Sequence, residues 1–250
     1  MKIRLAYSKL AEAKYIAHLD LTRFFERALR RAGVEVARTE GFHPHAKISF
    51  GPPLAVGVEG LAEYVDVEIR DGRRSLSPAA QAAAAERAVK ALQAEMPQNI
   101  RILTYGVLPP GAAALTASID LACYLVWTPL WAPVAEADLR RGLADWLSRE
   151  EIPVTRNKGG TARPVTKNIR PFVRRMALQS IAGEEAPDDP GFSLELEIAM
   201  TGAGSARAAD VTESFCEFLA LPWDKDGVVI VRAGLFTQGE KRLPPLGRIN

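Results

Sequence analysis

The spacing of hydrophobic and polar residues in the first part of the chain predicts a mixture of strands and helices. Residues 64–69 alternate polar and apolar side chains, which is typical of a half-buried strand. Within 21–32 the apolar residues recur at helical spacing, so we expect a helix with Asp20 as its N-cap and Gly33 at its end. The predicted order is a strand at 2–8, this helix, strands at 34–38, 47–50 and 64–69, a helix at 77–95 and a strand at 100–108.

Proline, glycine and serine mark the limits of the later elements. Ser77 as N-cap and Pro78 at the first helical position begin an alanine-rich helix, which Pro97 ends. The run Pro109-Pro110-Gly111, followed by three alanines, is typical of a domain boundary. The same order of elements then repeats, with a strand at 117–128, a helix at 134–149, strands at 152–157, 168–179 and 192–200, a helix at 205–221 and a strand at 228–236.

The length and composition of the chain fit two similar halves. With 250 residues, 48% of them hydrophobic, the chain suffices for one large domain or for two of about 100 to 125 residues. Because the order of elements repeats, we expect an α+β protein of two tandem ferredoxin-like (βαββαβ) domains, at residues 1–110 and 111–250.

Residues 41–57 combine glycine, proline and histidine in a way that differs from an ordinary turn. Two of the three histidines, His43 and His45, lie here on either side of Pro44. A simple hairpin needs a turn of only about two to five residues. A rigid His-Pro-His turn, a short strand and a Gly-Pro-Pro exit therefore indicate a surface shaped for recognition. The alternative is a proline-stiffened connection whose histidines are merely solvated.

Charge is distributed unevenly although the net charge is only +2. Residues 1–50 hold ten Lys/Arg against five Asp/Glu, and residues 151–180 hold seven against one. Residues 181–226 hold two against eleven. Such segregation predicts a basic binding face beside an acidic, solvated remainder.

Arginines in both halves support a nucleic-acid hypothesis. Four of them fall within an arc of about 100° on the first predicted helix, and the planar guanidinium suits phosphate oxygens. Ferredoxin-like sheets also bind single-stranded RNA, although no aromatic RNP signature is present. The alternative is a solvated helix face. The residues expected to contact RNA are Arg23, Arg27, Arg30, Arg31, His43, His45, Lys47, Arg156, Lys158, Arg163, Lys167, Arg170, Arg174 and Arg175.

Among these residues, Arg170 is the preferred phosphate contact. Pro171 follows it and restricts the preceding residue to extended backbone angles, so we expect the Arg170 side chain to point in one fixed direction. The alternative is that Arg170 forms a structural ion pair.

The three histidines are candidates for chemistry. His18 stands two residues before Asp20, and His43 and His45 flank a proline. Histidine and carboxylate could ligate zinc or iron, or a histidine could act as general base on a ribose 2′-hydroxyl. The spacing reveals no third ligand and no second acid-base group. Histidines that shape the loop or touch phosphate are the simpler interpretation, so we assign no metal.

Other features narrow the classes of function. The chain contains no dinucleotide fingerprint, nucleophile elbow, kinase motif set, H-E-x-x-H or Walker motif, so an autonomous cofactor enzyme is not expected and no cofactor is assigned. Cys123 and Cys216 are far apart and lack metal-site spacing, which favours a reducing compartment. Because no segment is typical of a signal peptide or a membrane span, we expect a cytoplasmic protein without membrane contact.

Several motifs resemble one bacterial family. They are Ala17-His18-Leu19-Asp20-Leu21, Phe25–Gly33, Gly41–His45, Lys47–Phe50, Lys158-Gly159 and Ile169-Arg170-Pro171. Together they resemble the radical SAM-linked proteins, and they cover most of the chain. Two positions depart from the family pattern: Ala46 stands where a proline is expected, and Asn168 stands where an aspartate is expected. The helix followed by Gly-Phe-His-Pro is also similar, more distantly, to the RAMP endoribonucleases that process CRISPR repeats.

The resemblance implies a role beside another protein. Members of the family are encoded next to, or fused behind, a cobalamin-binding radical SAM enzyme, and often near ribonuclease and ribosomal-protein genes. We therefore expect a non-catalytic, RNA-binding subunit that presents RNA to that enzyme. One alternative is a metal-independent endoribonuclease using His18 or His45. Another is a protein-protein adaptor without affinity for RNA. The oligomeric state stays open.

Overall fold

The computed structural model describes residues 1–70, 77–156, 164–182 and 190–237. It is an α+β structure, which confirms the predicted class, and its sheet pairings are mostly antiparallel. Two compact units are present: Met1–Ile119 with the segment that begins at Gly234, and Asp120–Ala233. The predicted domains, 1–110 and 111–250, stay a prediction.

The first unit contains four strands and two long helices. They are β1 (Lys2–Lys9), α1 (His18–Arg31), β2 (Ile48–Phe50), β3 (Glu59–Glu68), α2 (Pro78–Ala94) and β4 (Ile100–Leu108). A short helix, α3 (Leu115–Ser118), follows. The sheet order is β4-β1-β3-β2, and each neighbouring pair is antiparallel. The two central strands are therefore the first and the third along the chain.

One hydrophobic core joins α1 and α2 to this sheet. Alternate residues of β1, namely Ile3, Leu5 and Tyr7, are buried against the helices. Phe25 of α1 stacks edge-on against Tyr7 with ring centroids 5.1 Å apart. The apolar residues that recur at helical spacing in α1 thus form its buried face, and the opposite face of the helix is exposed to solvent.

Buried polar groups also hold the centre of the sheet. Arg4 donates two hydrogen bonds to Asp66 across β1 and β3, at 2.7 Å from Nε and 2.9 Å from Nη2. Both side chains are at most 4% exposed, so the pair matters to stability; Lys2 Nζ also lies 3.3 Å from Asp66 Oδ2. Burial raises the pKa of the neighbouring Tyr64 to about 12; Glu63 adds to the rise and Arg4 opposes it.

The second unit repeats the order of elements with an added hairpin. Its elements are β5 (Leu121–Pro129), α4 (Glu136–Ser148), β6 (Pro153–Arg156), β7 (Val165–Asn168), β8 (Val173–Ala182), β9 (Gly191–Ala199), α5 (Ala208–Phe218) and β10 (Val229–Phe236), of which the last three residues are grouped with the first unit. The sheet order is β10-β5-β9-β8, and β6 pairs with β7 in a separate two-stranded sheet. Trp146 and Phe192 both pack edge-on against Phe215 in its core.

Several predicted elements differ from the structure. Helix α1 begins at His18 with Ala17 as N-cap, so Asp20 lies in its first turn. Residues 34–38 form isolated bridges instead of a strand. Residues 115–118 are helical where a strand was expected to begin at 117. The strand expected at 168–179 is interrupted by a 3-10 turn, Arg170–Phe172.

Arg170 therefore has helical backbone geometry, and the extended conformation predicted from Pro171 is wrong. The cause is Asn168, whose Oδ1 accepts hydrogen bonds from the main-chain N–H groups of Arg170 and Ile152. These bonds turn the chain just before the proline.

No helix in the described parts of the chain combines the length and the apolar character that crossing a membrane requires.

Candidate functional site

The end of α1 is shaped by Gly33. The Val34 N–H donates to the Leu29 carbonyl and the Gly33 N–H to the Arg30 carbonyl, which is the pattern of a Schellman motif. Gly33 has a φ of +67°, a conformation that residues with a Cβ adopt at a cost. The motif satisfies the last carbonyls of α1 internally and turns the chain back along the helix.

The chain after Gly33 forms a loop that is closed at its base. Arg38 bridges Ala46, the Lys47 N–H donates to the Ala37 carbonyl, and the Ala37 N–H donates to Glu68. Nearer the tip, the main chains of Thr39 and His45 are joined at 2.9 Å, and the His45 N–H also donates to Thr39 Oγ1 at 2.9 Å. Arg38 Nη1 also donates to the Pro44 carbonyl at 3.2 Å, and these five hydrogen bonds hold the loop.

A groove of about 560 Å³ lies between the exposed face of α1 and this loop. We call it the arginine groove. Its lining comes from the last turns of α1, the segment after Gly33, the base of the loop and the segment just after β3. The lining residues are Glu26, Arg27, Arg30, Gly33, Val34, Glu35, Val36, Arg38, Pro44, His45, Ala46 and Arg70.

The groove has an excess of positive charge that is not neutralised locally. It contains four arginines against Glu26 and Glu35. Over the described residues, the guanidinium groups of Arg27, Arg30 and Arg70 make no hydrogen bond and no ion pair. Three arginine forks are therefore available to an anionic ligand without first breaking an internal contact.

Three other basic residues predicted on this unit are engaged in ion pairs. Arg23 pairs with Asp20 at 3.2 Å on the exposed surface of α1. Arg31 pairs with Glu95 at 2.7 Å, and Lys47 pairs with Glu68 at 3.3 Å. The four-arginine arc predicted on α1 is thus divided, with Arg27 and Arg30 in the groove and the other two outside its lining.

The three histidines occupy different surroundings. His45 lines the arginine groove, and His43 is exposed near the loop tip. His18 instead lines a separate small cavity of about 10 Å³, where its ring packs edge-on against Phe50 at 5.5 Å. Within the described ranges, no group of three His, Cys, Asp or Glu side chains is placed to hold a metal ion.

In the second unit, Arg170 is bound to the main chain. Its Nε and Nη2 donate to the Leu147 carbonyl at 3.0 and 2.8 Å, and its Nη1 donates to the Val173 carbonyl at 3.0 Å. Leu147 is in the last turn of α4, so the guanidinium satisfies a free carbonyl at a helix C-terminus. Lys167 is similarly occupied, because it donates to the Ser205 carbonyl and lies 4.0 Å from the Phe172 ring centroid.

Of the remaining basic residues predicted on this unit, two form ion pairs and one is exposed on a strand. Arg156 pairs with Asp210, and burial, helped by Arg207, lowers its pKa. Arg175 pairs with Glu195 at 3.0 Å and lies 3.5 Å from Glu197. Arg174 is exposed on β8. Lys158 and Arg163 lie outside the described residues.

Sequence reasoning missed Arg38 and Arg70 of the groove, and it did not select Phe42. Arg38 and Arg70 are distant in sequence. The Val36–Ile69 bridge and the hydrogen bond from the Arg70 N–H to the Glu35 carbonyl bring their segments to the same groove. No local pattern signals such a pairing. Phe42 was visible as an aromatic in a Gly-rich loop, and the structure leaves it fully exposed.

Comparison with solved structures found similar folds. The structure titled "Crystal Structure of a Cbf5-Nop10-Gar1 Complex" matches with a TM-score of 0.50 and 11% identity, over 95% of this chain and 50% of that chain. "Structure of H/ACA RNP bound to a substrate RNA containing 2'-deoxyuridine" matches with a TM-score of 0.47 and 12% identity, over 94% and 49%. The chain thus spans about half the length of these proteins. At such identity the first likeness concerns the fold alone, and the second carries no argument.

Comparison with curated proteins found no match. A family model described as "Uncharacterized protein conserved in bacteria (DUF2344)" matches residues 2–208, which is most of the chain. The protein therefore belongs to the DUF2344 family of bacterial proteins.

Proposed function

We propose that this protein is an RNA-binding accessory subunit that presents RNA to a separate, cobalamin-binding radical SAM enzyme. The partner enzyme is suggested by the motifs that resemble the radical SAM-linked proteins. The RNA ligand is supported by the arginine groove, and the observation that carries it is the set of unpaired guanidiniums of Arg27, Arg30 and Arg70 among the described residues.

We also propose that each unit is a ferredoxin-like domain. The sheet order is β4-β1-β3-β2 in the first unit and β10-β5-β9-β8 in the second. If the strands of each unit are numbered separately and the β6-β7 hairpin is left out, both orders become 4-1-3-2. The order of elements in each unit is βαββαβ with that hairpin as an insertion in the second. A four-stranded sheet is also the RNA-binding surface of the RRM module.

The chemistry of the groove suits a phosphodiester. Each guanidinium presents a planar fork of donors that matches phosphate oxygens. Arg27 and Arg30 lie one turn apart on the same helix face, so they can reach neighbouring anionic oxygens. Arg70 and Arg38 add positive charge from other segments of the lining. A chain of phosphates is a better match than a single anion because the four arginines come from three separate segments of the lining.

The salt dependence of binding tests this proposal. Affinity for RNA should fall linearly with salt on a log-log scale, because bound phosphates release counterions. Replacing Arg27, Arg30 or Arg70 with glutamine should weaken binding to all sequences and reduce the slope by about one unit each. Arg140→Gln is the matched control, since Arg140 is an exposed helical arginine paired with Glu136 on α4. Unchanged slopes in all three groove variants would overturn the groove as the RNA site.

The partnership requires its own experiment. Affinity purification of the tagged protein from its native cells should recover a radical SAM enzyme, and RNA should accompany the complex. Recovery of RNA without the enzyme would overturn the partnership and leave RNA binding intact. An iron-sulfur cluster or S-adenosylmethionine bound by the purified protein alone would contradict the proposed division of labour.

A second candidate function is endoribonuclease activity. It is favoured by His45, which lines the groove in which the phosphates would lie and could act as a base on a ribose hydroxyl. Incubation with cellular RNA in chelator distinguishes the two functions. Cleavage that is lost in His45→Ala favours the enzyme, and intact RNA that stays bound favours the accessory subunit.

A further inference from the structure

We infer that the arginine groove takes single-stranded RNA, and that Phe42 stacks against an unpaired base of the bound strand. This inference rests on the proposed RNA-binding function and adds the strand type and a specificity residue. It follows from the combination, within one loop, of a fully exposed aromatic side chain and the lining of a basic groove.

The Phe42 side chain contributes no buried apolar surface to the fold. The ring is completely exposed at the loop tip, although burial of a phenylalanine normally contributes substantially to folding. Exposed single hydrophobic residues are common on protein surfaces. Phe42 differs from such residues because the loop that carries it is held at its base by the Thr39–His45 hydrogen bonds and by Arg38.

The position of Phe42 relative to the groove is constrained by the chain. Pro44 lines the groove and is only two residues away, so the two Cα atoms are at most about 7 Å apart. Gly41, with a φ of +117°, and Pro44 limit the paths that this short segment can take. A nucleotide whose phosphate contacts the groove therefore has its base within reach of the Phe42 ring.

A nucleotide strand fits both features together. Its phosphates match the unpaired guanidiniums, and its bases offer flat faces that stack on aromatic rings in a sequence-tolerant way. In a duplex the bases are already stacked on one another, so an aromatic at a loop tip has no free face to contact. An acidic protein segment would satisfy the arginines but would not require the planarity of the ring.

Four variants at the loop tip and one control test the inference. The probes are a short single-stranded oligoadenylate, an RNA duplex of the same length and inorganic polyphosphate, which offers phosphates without bases. Phe42→Ala should weaken oligoadenylate binding by about fivefold to 150-fold, the range that base-aromatic stacking corresponds to. Duplex and polyphosphate binding should stay within about twofold of wild type. Phe42→Trp and Phe42→Tyr should retain affinity, whereas Phe42→Leu, which keeps the hydrophobic character but not the flat ring, should not.

The control is Trp131→Ala, which removes an exposed aromatic from the second unit and should leave all three affinities unchanged. If Phe42→Ala or Phe42→Leu binds oligoadenylate as tightly as wild type, while salt-dependent binding persists, the stacking inference is wrong and the proposed function stands. If wild type binds neither RNA nor polyphosphate at low salt, the proposed function itself fails. Equal loss of oligoadenylate and polyphosphate binding in Phe42→Ala would also overturn stacking, since polyphosphate has no base.

Discussion

Arg31 Nε donates a hydrogen bond to Glu95 Oε2 at 2.7 Å, and Arg31 Nη2 donates to the Glu95 carbonyl at 3.1 Å. The last residue of α1 is thereby tied to the residue that follows α2. Arg31 belongs to the arginine arc that the sequence predicted for RNA, yet its donors are directed at another helix end. The arrangement distinguishes arginines that hold helices together from arginines available to a ligand.

Arg31→Gln should therefore affect stability slightly and RNA binding not at all. Both partners are substantially exposed, and exposed ion pairs contribute at most about 1 kcal/mol. Chemical denaturation measures the first effect and the salt slope of RNA binding the second. A slope reduced by about one unit would show that Arg31 contacts phosphate after all.

Arg170→Gln should destabilise the fold by about 1.5 to 3 kcal/mol, because the charged hydrogen bonds to the Leu147 and Val173 carbonyls are lost. The free energy of unfolding, measured with urea, checks the change. Arg174→Gln is the matched control on the same segment; Arg174 is exposed, so its replacement should stay within about 0.5 kcal/mol of wild type. Equal stability of the two variants would contradict a structural role for Arg170.

Gly33→Ala should lower the free energy of unfolding by about 1 to 2 kcal/mol, since φ is +67° and a Cβ is strained there. A Cβ would meet no atom within 4 Å, so the effect comes from the backbone alone. Gly33→Asn should be milder because asparagine tolerates the left-handed region. The reverse ranking, with alanine milder than asparagine, would show that α1 does not end in the Schellman motif.

Asp66→Ala should cost about 3 to 5 kcal/mol, because it leaves the buried charge of Arg4 without its carboxylate. The double variant Arg4→Met with Asp66→Leu should recover much of this loss, as a buried pair replaced by apolar residues often does. Urea unfolding of both variants makes the comparison. A single variant that loses less than 1 kcal/mol would mean that water reaches Arg4.

The free energy of unfolding should also decrease at alkaline pH, because the Tyr64 phenol ionises. Its pKa is raised from 10.0 to about 12 in the folded protein, so above pH 10 the unfolded state loses the proton first. The contribution of the buried phenol is complete below pH 10 and is lost as the pH rises through about 12. Tyr64→Phe should flatten this part of the urea-midpoint profile. The residual decline should begin near pH 9, since burial also raises the pKa of the Cys216 thiol from 9.0 to about 12.

Local signals predicted much of the fold. Ser77 does accept a hydrogen bond from the Ala80 N–H, and Pro78 is the first residue of α2, because capping chemistry is local. Gly33 follows the end of α1 for the same reason. Asp20 misled the prediction because an acid is also favourable inside the first helical turn, where it faces Arg23 and the helix dipole.

The composition of the site was harder to predict. Helical spacing does place Arg27 and Arg30 on one face, but it cannot show that Arg31 meets Glu95 or that Arg70 joins the groove. These contacts depend on pairings between residues more than thirty positions apart. The basic residues around Arg170 gave a strong composition signal, and the structure assigns several of their donors to internal carbonyls and carboxylates.

The closed base of the loop after Gly33 has a consequence for evolution. The bonds that hold it involve Ala37, Arg38, Thr39 and His45, whereas residues 40–43 are exposed. Exchanges at Phe42 and His43 should carry little folding penalty and need no compensating change in the core, whereas Gly41, with a φ of +117°, is constrained by its backbone. A Gly-Phe-His-Pro-His motif at this tip would therefore be kept by selection on what the tip contacts, since the folded scaffold makes little demand on the exposed side chains of Phe42 and His43.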